Sequence, residues 1–413
     1  MISNFLMNNQ KFSSNTIRMK KKIFLYGILP FLLCALAIII APIVQAYSID
    51  SGMVITADEI DNAKIGVLDF DIKDTDISAS TGDLCPKTAT IKLFGFIPIR
   101  TIEVNLLANN TITAGGQLLG FDLQSGGVEI LGFNSVLTRD GEKNPIKDIG
   151  LKKQDIITSI NGKTVKTLED IDKILNGKDQ GKEVQIDYTR GDKTFTAVAL
   201  PQRDILSGKY KLGLWVKNST NGIGTLTFVK NDGRYGAVGH PISENKTMLE
   251  HCQSGEVYGT QLIGVVKGEK NAPGEIKASI EWSKGEIGDI DTNNNYGLFG
   301  QLDKQIEGEQ VALGGRFSVK PGKAFIRTQV SKDGVKDYEI KIIKTAKQKK
   351  ASEKSIVFKV VDKELLALTN GIVQGMSGSP IIQDGKMVGS VTHVFLNDPT
   401  HGYGVYIDWM IEQ

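Results

Sequence analysis

A chain of 413 residues with 40% hydrophobic and 23% charged side chains is ordinary globular material, long enough for two or three domains. A formal net charge of +2 argues against a polyanionic partner, so nucleic acid is not expected. Forty-five glycines against 11 prolines, with recurrent Val, Ile and Thr, indicate a mainly β protein with many turns.

Residues 1–46 do not read as globular. Lys11, Arg18, Lys20, Lys21 and Lys22 precede an uncharged stretch from Ile23 to Val44, and no acid occurs before Asp50. At ~1.5 Å per residue that stretch can cross a ~30 Å hydrocarbon layer. The basic flank stays cytoplasmic, so the rest is expected to be exported across, or anchored in, a bacterial membrane. Val44-Gln45-Ala46 also resembles a signal-peptide cleavage site; an anchor and a cleaved signal are both open, and the length favours the anchor. Cys34 lies in this stretch. Cys85 and Cys252 form a possible disulfide pair outside it, although no spacing supports one. The cysteines and the four histidines form no CxxC or HExxH pattern, so neither a metal nor a cofactor is expected.

Residues 47–110 read as a β-rich transition region. Its strongest strand runs from Ile91 to Asn105, with Pro98 marking an edge or a bend. Residues 111–203 look like a separate module. Strands are expected at Leu118–Leu123 and Gly127–Gly132, a short helix after Pro145, and a hairpin at Asn161-Gly162. Helical spacing follows over Asp170–Leu175, then a strand over Glu183–Arg190. This pattern, with GLKKQDIITSING as its most specific part, resembles a PDZ domain. The resemblance implies that Leu118, Leu119, Gly120 and Phe121 supply amides that grip a peptide carboxylate.

Residues 204–413 are almost all strand and turn, which suits a barrel or sandwich. The basic run Lys341–Lys350 reads as a solvated loop. Asp289 to Gly297 resembles a calcium loop but lacks the closing glutamate.

The strongest functional signal is Gly375-Met-Ser-Gly-Ser-Pro380. A serine between glycines at a tight turn has little packing role, and the amides of Gly375 and Ser377 can converge on a developing oxyanion while the Ser377 hydroxyl attacks. Ser379 is the rival nucleophile, but the following proline keeps its backbone extended. A base is needed, and His240 in Tyr235-Gly-Ala-Val-Gly-His-Pro-Ile242 ends a strand at a turn that can fix an imidazole. His251 and His401 read as solvated or loop residues, and His393 as a wall of the cleft.

The order of histidine, serine loop and a following Gly-Val-Tyr strand resembles chymotrypsin-like proteases. The segments KLFGFIPIRTIEV, GIGTLTF, YGAVGHPIS, GIVQGMSGSPI and VTHVFLNDPT are closer still. Together, over residues 47–413, they resemble the stage IV sporulation protein B peptidases, the S55 family of serine endopeptidases of spore-forming bacteria. That resemblance implies a membrane or signal segment, a PDZ-like domain and a chymotrypsin-like β-barrel peptidase domain. It also implies Ser377 as nucleophile, His240 as base and Asp362 as the orienting acid. Asp289, at a more usual sequence separation, is the alternative acid. Implied activities are self-cleavage, secretion from the forespore and cleavage of a membrane-bound regulator. Protein substrates, including the enzyme itself, and a membrane-embedded regulatory complex are the implied partners. The opposing reading is a catalytically silent, PDZ-containing peptide-binding scaffold at the membrane. A heat-shock-type protease would place its PDZ domain after the peptidase, the reverse of the order here.

Overall fold

The computed structural model describes residues 29–49, 51–73, 84–107, 111–191, 193–242, 254–306, 308–346 and 352–413. Contacts divide the chain into two compact units, residues 1–79 with 84–107 and residues 80–83 with 108–413.

In the first unit, helix α1 (Leu29–Tyr47) precedes a five-stranded sheet. Met53–Thr56 pairs in parallel with Ile97–Leu107, and antiparallel partners follow at Leu84–Leu93, Leu68–Lys73 and Lys64–Ile65. Pro98 sits beside a register shift at Ile91/Lys92, where its missing N–H does least harm. Among the described residues no helix is long and apolar enough to cross a membrane, and Ile23 to Ile28 of the expected span lie outside them. Cys85 is a free thiol, and its suggested partner Cys252 lies outside the described residues.

The second unit is built on two antiparallel barrels. In the first, Leu118–Gln124 pairs with Ser219–Thr225, and the latter strand continues to pair with Arg234–Ala237. Gly297–Gln301, the Glu286–Asn294 stretch and Ser254–Tyr258 follow, the last returning to Phe121 and Gly120. Leu119, Phe121 and Leu123 alternate inward with Leu226, Tyr235, Val257 and Leu298 to fill it. The second barrel closes in the order Gly322–Ser331, Gly334–Thr345, Ile356–Val360, His401–Tyr406, Lys386–Val394 and Pro380–Gln383. Ile326, Tyr338, Ile340, Phe358, Ile381 and Val391 are almost wholly buried, the period-2 pattern of strands with one face inward.

A third body is inserted in the first barrel. The strands Leu118–Phe133 and Leu214–Val229 are each 16 residues long and pair antiparallel along most of their length. Their outer halves leave the barrel and enter a small domain containing Ile156–Ile160, Val184–Arg190, Lys193–Ala199 and helix α2 (Leu168–Leu175). Val128, Ile130, Ile157, Ile160, Ile186 and Leu212 form its core. Thr167 caps α2 by accepting from the Asp170 amide, and Asn161-Gly162 turns a hairpin with both φ positive. The helix expected after Pro145 is a run of turns.

Candidate active site

Ser377 lies in the loop leading into Pro380–Gln383 of the second barrel, and three bonds from the first barrel pin that loop. The Thr225 amide donates to the Ser377 carbonyl (3.0 Å), the Thr225 hydroxyl to the Gly375 carbonyl (2.7 Å), and the Thr227 hydroxyl to the Gly378 carbonyl (2.7 Å). The Gly378 amide donates to Val391 and the Ser379 amide to Met376. The amides of Gly375 and Ser377 have no hydrogen-bond partner among the described residues. Gly375 has φ +94° and Gly378 φ +98°, the left-handed region open to glycine. At Gly378 a Cβ would come within 2.0 Å of the Thr225 carbonyl and 2.4 Å of the Val238 nitrogen. The serine loop and the histidine turn therefore meet at that glycine.

The histidine turn has an unusual backbone. Val238 has φ +71°, and the Gly239 amide donates back to the Ala237 carbonyl at 2.8 Å. That is a γ-turn with a left-handed, β-branched centre, a strained conformation. His240 follows, half-buried. Its Nδ1 lies 2.9 Å from the Pro241 carbonyl, which can only accept, so Nδ1 carries the proton and Nε2 holds the lone pair. Buried Asn293 then clasps the next residue, accepting from the Ile242 amide and donating to its carbonyl.

The serine loop and the histidine turn both converge on the segment Val391–His393. The Ser377 hydroxyl donates to the Thr392 carbonyl at 3.0 Å. At Gly239 a Cβ would meet Ser390, Val391 and Thr392. The rings of His240 and His393 lie 5.2 Å apart, centroid to centroid. Burial lowers the His240 pKa, opposed by its bond to Pro241 and by the field of Glu353. His393 is pushed down to about 4, by burial first and then by His240 and Lys354. Both imidazoles are thus neutral near pH 7, the state a general base requires.

The expected acids are elsewhere. Asp362 is the N-cap of helix α3 (Lys363–Thr369): its Oδ1 accepts from the Leu365 amide and its Oδ2 from the Glu339 amide. Asp289 lies in the Glu286–Ile290 strand and accepts from the Gln301 amide. Neither carboxylate is bonded to His240; the Nδ1 position taken by aspartate in a serine triad is filled by the Pro241 carbonyl. Ser379 is fully buried, which removes it as a rival nucleophile. His401 is bonded to Asp398 in the loop before the last strand, and His251 lies outside the described residues.

The assignment of Leu118, Leu119, Gly120 and Phe121 to peptide binding is also corrected. They sit in a barrel strand paired on one side with Ile223–Thr225 and on the other, at Gly120 and Phe121, with Val257 and Tyr258. Leu119 and Phe121 point into the core, and no edge is left for a peptide. The inserted domain instead has a groove of about 720 Å³ between α2 and the stretch Lys209–Val216. The strand at Leu214–Lys217 pairs only with Glu129–Phe133 among the described residues, so its other edge is open.

Sequence reasoning missed Thr225, Thr227 and Glu353. Two threonines alternating with apolar residues in the strand GTLTF were the available signal for the first pair. For Glu353 it was a lone acid within the basic stretch KQKKASEKS.

A hydroxyl and a neutral imidazole that meet the same strand segment, together with two unpaired amides, are equipment for acyl transfer, the chemistry of serine peptidases. The sequence comparisons name the family: residues 208–411 match the model described as SpoIVB peptidase S55, and residues 131–199 match a PDZ domain. The chain is a serine peptidase of the S55 family, and the inserted body is its PDZ domain. Among solved structures, the PDZ domain of the SdrC-like protein (Lmo2051) from Listeria monocytogenes is 27% identical. That match covers 22% of this chain and 87% of that one, with a TM-score of 0.18. The Rv3671c protease from M. tuberculosis, in its active form, is 10% identical over 45% of this chain and 70% of that one, with a TM-score of 0.26. No curated protein matches.

Proposed function

We propose that this chymotrypsin-like peptidase is an endopeptidase that cleaves extended segments of proteins, with Ser377 as nucleophile and His240 as general base. The Ser377 hydroxyl turns from the Thr392 carbonyl towards Nε2 of His240, gives up its proton and attacks the scissile carbonyl. The Gly375 and Ser377 amides receive the oxyanion, and the proton on Nε2 passes to the leaving amine. Water, deprotonated by the same nitrogen, then hydrolyses the acyl-enzyme. The observation that carries this reading is the pair of unpartnered amides on either side of Met376, in a loop whose carbonyls are otherwise tied down. The groove beside α2 would hold a protein tail, from the enzyme itself or from its target.

The family resemblance extends the reading to sporulation signalling. The enzyme would be exported from the forespore into the space between the two membranes, cleave itself, and cut a membrane-bound regulator of an intramembrane protease. A mother-cell sigma factor would then be activated. The hydroxyl resting on Thr392 favours a second reading, a silent peptide-binding scaffold. A fluorophosphonate probe separates the two. Endopeptidase function expects labelling at Ser377, abolished in Ser377→Ala and reduced by about 10⁴-fold or more in His240→Ala. An unlabelled wild-type protein would establish the scaffold. Mass spectrometry of protein N-termini, wild type beside Ser377→Ala, reports self-cleavage.

A further inference from the structure

The hairpin joining Leu84–Leu93 to Ile97–Leu107 in the first unit turns on Leu93-Phe-Gly-Phe96, with the Phe96 amide donating to the Leu93 carbonyl at 3.3 Å. Phe94 has φ +55° and Gly95 φ +81°, the backbone that an Asn-Gly pair supplies without strain. A bulky aromatic residue is disfavoured at positive φ, so Phe94 costs stability where asparagine would not. Its ring is not repaid by the core. Phe96 is 70% exposed, Phe94 and Ile97 are each 44% exposed, and the two phenyl rings stack with centroids 6.5 Å apart. Val67, whose carbonyl accepts from the Phe94 amide, adds a fourth exposed apolar side chain.

Helix α1 points to what covers this tip, because it ends on the same strand. The Arg100 guanidinium donates to the Tyr47 and Ile49 carbonyls at 3.1 and 3.2 Å and lies 5.9 Å from the centre of the Tyr47 ring. Arg100 is four residues from Phe96, about 13 Å along an extended strand. From Ile49 the chain runs away from the turn, since the Gly52 amide donates to Glu103 and Met53 pairs with Val104. The helix end and the aromatic tip therefore share one end of the sheet. α1 carries no charged residue, and Leu36, Ile38, Ile39 and Ile40 leave it exposed and apolar all round, a surface suited to hydrocarbon. The carboxylates near the turn are neutralised locally, Asp69 by Lys64 at 2.9 Å and Asp71 by Lys92 at 2.6 Å.

We propose that the Phe94–Ile97 tip inserts into the lipid interface beside α1, a second membrane contact that stops the sheet swinging about the helix end. Aromatic rings favour that depth, and with the nearby charges paired the driving force is apolar burial rather than attraction to anionic lipid. With α1 taken as part of the membrane segment, this contact is independent of the chemistry at Ser377.

The test reconstitutes the full-length chain into phosphatidylcholine vesicles with or without bromine on the acyl chains. An added tryptophan is read as the difference from the wild type, which has three. Phe96→Trp should lose about half or more of its emission in the brominated vesicles. Glu103→Trp, exposed on the same strand seven residues further on, should lose little. Adding Phe94→Asp to Phe96→Trp should lift the tip and restore most of the emission, and phosphatidylglycerol vesicles should give the same result as phosphatidylcholine. Leu32→Trp reports on α1 itself. Quenching at Leu32 without quenching at Phe96 overturns the proposal and leaves the anchor standing, whereas quenching at neither removes both. Phe96→Trp emission that is shifted to the blue but untouched by bromine would mean that a protein surface covers the tip. A requirement for phosphatidylglycerol would mean electrostatic attachment. Either result overturns the proposal.

Discussion

The loop that carries Ser377 and the turn that carries His240 are fixed in opposite ways. In the serine loop, side chains from another strand capture the carbonyls of Gly375 and Gly378, leaving alternate amides free to face a substrate. In the histidine turn the backbone itself is the constraint, with Val238 and Gly239 both at positive φ and Asn293 closing the far side. The first arrangement is pre-organised by satisfied hydrogen bonds, and the second stores strain that its surroundings must hold. Donors for a developing charge must not reorganise, whereas an imidazole needs only one nitrogen aimed correctly.

The contrast breaks most sharply where the two regions touch. Gly378→Ala drives a Cβ into the Thr225 carbonyl at a φ of +98°, which should cost about 3 kcal/mol of stability and at least about a hundredfold in kcat/KM. Chemical denaturation beside peptidase assays checks both. Thr225→Val leaves the Gly375 carbonyl without its donor, at about 1–3 kcal/mol. Turnover should fall about tenfold with KM little changed, since the amides align only with the oxyanion. Asp362→Ala removes a helix cap and should cost about 1 kcal/mol in melting experiments. Asp362→Asn keeps one accepting oxygen for the cap but sets its NH2 against the Glu339 amide, so it should regain only part of the stability; activity lost with the charge would place Asp362 in the reaction.

A further effect concerns acid. His393 titrates near pH 6.5 when unfolded and at about 4 when folded. Between those values the unfolded chain binds the extra proton, so stability falls as pH drops through that window and levels off below it. Melting temperature followed from pH 7 to 4 should show this, and His393→Gln should flatten the slope.

Much of the candidate site stood out in sequence because its signals are local. Glycines around Ser377 and the Gly-His-Pro context of His240 declare themselves within a few residues. The cap role of Asp362 could also be read locally, since Asp362-Lys-Glu-Leu-Leu366 is an ordinary helix start, with an acid capping an apolar turn. Leu118-Leu-Gly-Phe121 has the composition of a carboxylate-gripping loop. Only pairing with residues more than a hundred positions away makes it a barrel wall. The same long range hid the insertion of the PDZ domain, since no local pattern reveals which two strands run side by side. Glu353 comes near the histidines from a different strand connection, and its own sequence neighbours suggest only a solvated charge.

The ribbon joining PDZ domain and barrel makes the smaller body excisable. Gln124 and Ser219 are register partners, so their Cα atoms are about 5 Å apart, a gap that a two-residue Asn-Gly turn spans. Splicing there would delete everything between them and leave a continuous hairpin in the catalytic body. A peptidase stripped of its PDZ domain is thus within reach of a single deletion, and the same seam is where that domain can be exchanged for another.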